Sequence, residues 1–334
     1  MIGWYVHHHG AGHLYRARAV MAVLERAATV LSSLPRPEDW EGPWVELAGD
    51  DGGTPRDPDA AGYLHWAPFH HDGLRSRMAD ISAWIAWAQP ELMVCDVSVE
   101  VAVLARLHGV PVVCVAMPGD RSDAPHRLAY GLATGLVGCW PPGAHGDLEG
   151  LPEAEAAKIQ QVGGLSRFPV AQPGPRRSGP PRVTLLQGAG GSELSADVLE
   201  CATVETPEWE WTVLGGDLGV WREDPFDVIC DADVVVTHAG ENAVAEVAAA
   251  RRPAVVVSGK RPHGEQEASA RALERGPWPA LVVHGSTWKV DGSGRATQSD
   301  SETRAKPSIA EPSKPMPSSK APSNSAGAIA TDLR

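Results

Sequence analysis

Residues 236–250 (VTHAGENAVAEVAAA) place an imidazole, an amide and a carboxylate at fixed intervals, His238-x-Gly240-x-Asn242-x-x-x-Glu246, where a valine run meets an alanine run. Such groups donate to anions, accept from hydroxyls and carry protons. The preceding Asp233-Val234-Val235-Val236 is apolar and β-branched on consecutive positions, as in a strand covered on both faces. From Asn242 a helix is predicted, with Val244, Val247 and Ala248 on one side and Asn242 and Glu246 on the other. Strand, tight turn at Gly240 and helix make half of a βαβ unit. In such units the strand's carboxyl end and the helix's amino end meet at a ligand-binding rim, where free N–H groups favour an anion. Each residue also has a purely structural reading: Asn242 as a helix cap, Glu246 as a carboxylate favoured by the helix dipole, His238 as a hydrogen-bonded core residue.

Two further loops have the same character. LLQGAGGSELSA (185–196) sets Gly188, Gly190, Gly191 and Ser192 between a strand and a helix, so that backbone N–H groups can approach a phosphate and Ser192 can donate or cap. No Gly-Lys-Ser/Thr follows, so it is not a P-loop. VHHHGAGHLYRA (6–17) lacks the third small residue of a dinucleotide fingerprint, because Tyr15 stands there. His13, at the start of a helix, is the candidate general base. The run His7-His8-His9 raises metal binding or a tag, but it is short and no paired carboxylate or spaced ligand accompanies it. The expected metal set is therefore empty.

The elements that must position these loops alternate along the chain. IGWYV (2–6), ATVLSS, WVELA, ELMVCD and VPVVCVA read as strands; 13–28, 74–88 and VEVAVLARLHG read as helices. AQPGPRRSGPP (171–181) is too rich in Pro and Gly to carry a core and is the candidate linker. The alternation then restarts: strand PRVTLLQ, helix 195–203, strand WEWTVLGG, the strand and helix of the opening motif, strand PAVVVSG, helix 264–275, strand PALVVH. The expected fold class is α/β, with two Rossmann-like parallel-sheet domains facing across a cleft. Their expected extents are 1–170 and 182–288. Residues 289–334 are rich in Ser, Pro, Lys and Gly and too poor in large apolar residues to offset ordering entropy, and a disordered tail is expected.

The chain of 334 residues is 43% hydrophobic, enough for two cores. A net charge of −13 excludes a phosphate-tracking nucleic-acid binder as the expected class. The five cysteines show no Cys-x-x-Cys spacing and read as reduced packing residues. Without a leader pattern or an apolar run of about 18 residues, a cytoplasmic protein is expected, with peripheral membrane contact left open.

The spacing His238-x-Gly240-x-Asn242-x-x-x-Glu246 resembles the nucleotide-sugar signature of GT-B glycosyltransferases that use UDP-sugars, with Ala243 where the family often has Ser. The 185–196 loop resembles the Gly-Gly-Ser loop of the peptidoglycan N-acetylglucosaminyltransferase group. Gly12-His13 resembles the end of that group's Gly-x-Gly-Gly-His pattern, from which Ala11, His8 and His9 depart. The resemblance implies that His238 and Asn242 contact the donor diphosphate, that Glu246 accepts from ribose hydroxyls and that Glu265-Gln266 meet the donor sugar. Asp96 and Ser98, after the strand ELMVCD, are candidates for the acceptor side with Gly12. The implied reaction is an inverting, metal-independent transfer of a hexose or N-acetylhexosamine from a nucleotide diphosphate sugar, UDP first, to an unidentified acceptor; that sugar nucleotide is a co-substrate, and no cofactor is implied. A hydrolase or epimerase of the same fold, and a non-catalytic nucleotide-sugar-binding protein, are the alternatives. The family usually adds helices after the second domain, and this sequence offers no candidate for them.

Overall fold

The computed structural model describes residues 1–142, 148–172, 178–188, 195–276, 278 and 280–284, and the backbone of 288–290 and 296–298. In the first half the elements run β1 (Ile2–Val6), α1 (Gly12–Met21), β2 (Ala28–Ser32), β3 (Trp44–Glu46), α2 (Asp72–Ala88), β4 (Leu92–Asp96), α3 (Val99–Leu107) and β5 (Val112–Ala116). There follow β6 (Gly119–Asp120), α4 (Ala124–Leu132), β7 (Gly135–Gly138), β8 (Leu148–Glu149), α5 (Glu153–Ala156) and β9 (Ile159–Gln161). Seven strands form one parallel sheet in the order β3-β2-β1-β4-β5-β7-β9. Alternate residues of its strands feed two apolar clusters: Tyr5, Cys95 and Cys114 enter one, Trp4, Val94 and Val113 the other. Hence the continuous apolar runs read from the sequence.

The second half comprises β10 (Arg182–Leu186), α6 (Ala196–Glu205), β11 (Glu210–Leu214), α7 (Phe226–Asp231), β12 (Val234–His238), α8 (Glu241–Ala249) and β13 (Ala254–Ser258). A 3-10 turn (Pro262–Gly264), α9 (Glu265–Arg275) and β14 (Ala280–His284) complete it. Its parallel sheet is ordered β11-β10-β12-β13-β14. Within the stretch expected to lack order, β15 (Trp288–Val290) pairs antiparallel with β16 (Ala296–Gln298); the rest of 289–334 lies outside the described residues.

Differences from the sequence reading are local. The helix expected over 13–28 stops at Met21, because Ala28 must pair with Ile2 to extend the sheet, and Leu24 covers the core from a turn. Helix α4 and strands β7 and β9 fall in a region that the sequence reading left without elements. The connection between the sheets docks up to the first residue of the Pro/Gly-rich stretch: Phe168 stacks on Phe226 at 4.6 Å, and Ala171 N–H donates to Ala249 O. No helix among the described residues is long and apolar enough to cross a membrane.

Candidate functional site

Each sheet reverses its strand order once, between β1 and β4 in the first and between β10 and β12 in the second. At such a switch point the connections leave in opposite directions and open a crevice at the strands' carboxyl ends. The residues singled out from sequence stand at these ends. A cleft of about 350 Å³ is lined by Gly12, His13 and Arg16 from one side and by Gly188, His238, Gly240, Asn242, Glu246, Glu265 and Gln266 from the other. Gly190, Gly191 and Ser192 lie outside the described residues. The two sides touch: a Cβ on Gly12 would come within 2.3 Å of Asn242 Nδ2, so any larger residue there would displace the Asn242 amide.

On the first side, α1 begins at Gly12 without a side-chain cap and presents His13 in its first turn. His13 Nδ1 lies 3.0 Å from Asp96 Oδ1, and Arg16 Nη1 donates to the same oxygen at 2.6 Å. Asp96 is the last residue of β4 and is fully buried. Burial alone would raise its pKa; Arg16 and His13 outweigh it and bring it down to about 2. Next in the chain, Val97 has φ +64, a strained conformation for a β-branched residue that stored strain at functional sites commonly explains. The carboxylate therefore holds His13 from beneath, and Asp96, expected on the acceptor side, lines neither this cleft nor the cavity beside it. Ser98 caps α3 by accepting from Val101 N–H and lines an adjoining cavity of about 210 Å³ that also contains His13. The His7 and His8 rings stack at 4.9 Å; burial first, then the neighbouring imidazoles, push His7 down to about 3.

On the second side, Gly240 N–H donates to His238 Nδ1 at 3.0 Å, which leaves the ring's proton on Nε2. Burial pushes this imidazole down to about 4, so it is a neutral donor at ordinary pH. A Cβ on Gly188 would meet Nε2 at 2.7 Å, which explains the glycine. Gln266 is buried and accepts from Gly259 N–H at 2.9 Å, so it braces the loop after β13. Glu246 is buried, and Arg167 Nε donates to it at 2.9 Å while its guanidinium lies 4.1 Å from the Tyr15 ring centre. Burial raises Glu246, and Arg167 partly offsets it.

Four residues central to this arrangement escaped the sequence reading. Arg16 also donates to Glu241 Oε2 across the cleft at 2.8 Å, and Arg121 donates to Glu265 Oε1 at 2.7 Å. Burial pushes Glu241 up to about 7, with Arg16 pulling against it. One buried guanidinium thus serves two carboxylates, with Asp96 held below and Glu241 above the usual carboxylate range. Arg16 lies three residues after His13 on one helix face, a signal that was available; Arg167, in an irregular stretch, gave none.

Residues 226–277, from α7 to α9, match the family model of the glycosyltransferase family 28 C-terminal domain. A search of curated proteins finds no match. Among solved structures, MurG of Acinetobacter baumannii superposes with a TM-score of 0.56 at 17% identity, covering 86% of each chain. A UDP-glucosyltransferase from Polygonum tinctorium gives 0.60 at 14% identity, covering 89% of this chain and 87% of that one. The spinosyn rhamnosyltransferase SpnG, complexed with thymidine diphosphate, gives 0.51 at 14%, covering 84% and 86%. The fold is GT-B: two parallel α/β sheets with a cleft between them.

Proposed function

We propose that this chain transfers a sugar from a nucleotide diphosphate to an acceptor hydroxyl with inversion, with UDP-sugars as the first donors to try. The observation that carries the reading is that His13, seated on Asp96, and Glu246 line one cleft. Glu246 is suited to accept from ribose hydroxyls once Arg167 yields, and Asn242 and His238 Nε2–H, with the first-turn N–H groups of α8, are suited to the diphosphate. The acceptor oxygen attacks the anomeric carbon as the bond from that carbon to the phosphate oxygen breaks. Its electron pair leaves on the diphosphate, and the acceptor's proton passes to His13 Nε2 while Nδ1–H donates to Asp96. The ionised Asp96 stabilises the imidazolium so formed. The leaving charge is met at this rim by neutral donors and helix N–H groups.

The test is a thermal-shift screen of the whole chain against UDP-, dTDP- and GDP-sugars, then calorimetry on the hit and mass spectrometry of products with a panel of hydroxyl acceptors. A saturable donor and a glycoside product support the reading. Free sugar or an epimer as the sole product assigns a hydrolase or epimerase. No stabilisation by any nucleotide or its sugar would sink it.

A further inference from the structure

We propose that His65, Asp123 and His263 form a divalent-metal site of the zinc class on the acceptor-side wall of the cleft, with His126 orienting the carboxylate ligand. The ligand-type atoms of these four residues lie within 4.8 Å of one another. They come from three separate places: the segment before α2, the start of α4, and the 3-10 turn of the second half. The inference rests on their geometry and stands independently of the transferase reading.

His65 Nε2 lies 3.5 Å from Asp123 Oδ1, and His263 Nδ1 lies 3.4 Å from Asp123 Oδ2. Metal–ligand bonds of about 2.0–2.1 Å in a tetrahedron put neighbouring ligand atoms roughly 3.3 Å apart; both separations are of that order, one to each carboxylate oxygen, and a turn of the Asp123 carboxylate presents one oxygen to both rings. His65 Nε2 is buried with no hydrogen-bond partner, a cost that a ligand would remove. Both rings are held from their backbones. His65 N–H donates to Glu100 Oε1 at 2.8 Å, while His263 has φ +60 and its carbonyl lies where a Cβ on Gly119 would meet it at 2.2 Å.

His126 is differently placed. Its Nε2 is 3.1 Å from Arg121 Nη1, and Arg121 is itself fixed by Met117 O, Pro118 O and Glu265. That nitrogen accepts, so Nδ1 carries the proton and donates to Asp123 Oδ2 at 2.7 Å. A ligating carboxylate oriented by an imidazole outside the coordination shell is the expected support for such a site. Three protein ligands leave a fourth position open, and His65 and His263 line the 210 Å³ cavity that shares His13, Met117 and Glu265 with the donor cleft. An oxygen ligand, water or an acceptor hydroxyl, fits that position.

The experiment is a cobalt(II) titration of the metal-stripped full chain, followed by visible absorption and competition with zinc(II). One equivalent should give the intense bands of tetrahedral coordination and be displaced by zinc. His65→Ala and His263→Ala should each abolish the bands, and His126→Ala should keep them while weakening affinity about 10–100-fold. Replacing His7, His8 and His9 together by alanine should leave the titration unchanged. Thermal melts of the stripped variants check folding; because His263 stands in an exposed turn, its variant carries the test if His65→Ala misfolds. No bands with the parent, bands that persist in both ligand variants, or bands lost with the histidine run would each overturn the assignment.

Discussion

The two rims of the cleft are built on the same topology but present different groups to it. The first-half rim is fixed by buried charge: Arg16 between Asp96 and Glu241, with His13 hydrogen-bonded to the ionised carboxylate. On the second-half rim the donors are neutral, with His238 set by Gly240 N–H, the buried Gln266 bracing Gly259 and glycine at 188, while its carboxylates Glu241, Glu246 and Glu265 each pair with an arginine of the first half. The cores differ likewise. Two apolar clusters sandwich the first sheet, whereas among the described residues one cluster covers the second, and α6 buries none of its residues. A base must keep one orientation through proton transfer, which a buried ion pair enforces. A site for an anion must instead offer donors, with any carboxylate beside them paired to a cation.

Removing the base is the strongest test of this division. His13→Ala should cut turnover about 10²–10⁴-fold while leaving donor affinity near the parent's, because it removes proton transfer and nothing on the donor rim. Steady-state kinetics beside donor calorimetry decide it; a matching loss of donor affinity would mean the rims are not separable.

Next comes the charge that holds the first rim. Arg16→Ala leaves the Asp96 carboxylate buried without its guanidinium partner, and should cost about 3–5 kcal/mol in urea unfolding. Arg18→Ala is the contrast on the same helix, since Arg18 pairs with the exposed Asp39 at the surface, and should change unfolding little. Equal losses in the two variants would refute the idea that burial is what makes the first rim's charges matter.

On the second rim, Glu246→Ala should weaken donor binding about tenfold or more, the scale of a lost hydrogen bond to a charged acceptor, with His13-dependent chemistry intact once donor is saturating. Calorimetry with the nucleotide alone reads this directly, because the contact assigned to Glu246 is to the ribose. Unchanged affinity would move the ribose elsewhere in the cleft.

What the sequence makes legible follows the same line between local and long-range. Parallel strands buried on both faces are written as unbroken apolar runs, so β1, β4, β5 and the second sheet are readable. So is the His238–Glu246 spacing, because one turn and one helix carry it. By contrast, the partners of His13 and Arg16 are 83 and 225 residues away; strand order brings Asp96 beside α1, and the packing of the two halves brings α8 there. Asp96 shows the limit: position at a strand end is visible in the sequence, the burial of its carboxylate under His13 and Arg16 is not. The cluster of His65, Asp123, His126 and His263 is invisible for the same cause.

The smallest expected effect probes the carboxylate that joins the two rims. Glu241 titrates near 4.5 when unfolded and is pushed up to about 7 in the folded chain, chiefly by burial. Between those values the folded state keeps a proton that the unfolded state has lost, so stability falls as pH rises from 4.5 to 7. Asp96 acts oppositely: its pKa drops from 3.8 to about 2, and its contribution, present above 3.8, is lost as pH falls through that interval. Glu241→Gln removes the first effect and keeps the second, because glutamine still accepts from Arg16 without carrying charge. The variant should therefore match the parent near pH 4.5 and exceed it by roughly 1–2 kcal/mol at about pH 8, read as the separation of urea midpoints. A constant separation across this range would show that Glu241 is ionised throughout. A separation that opens only above pH 4.5 places the dividing line between charged and neutral groups at this residue.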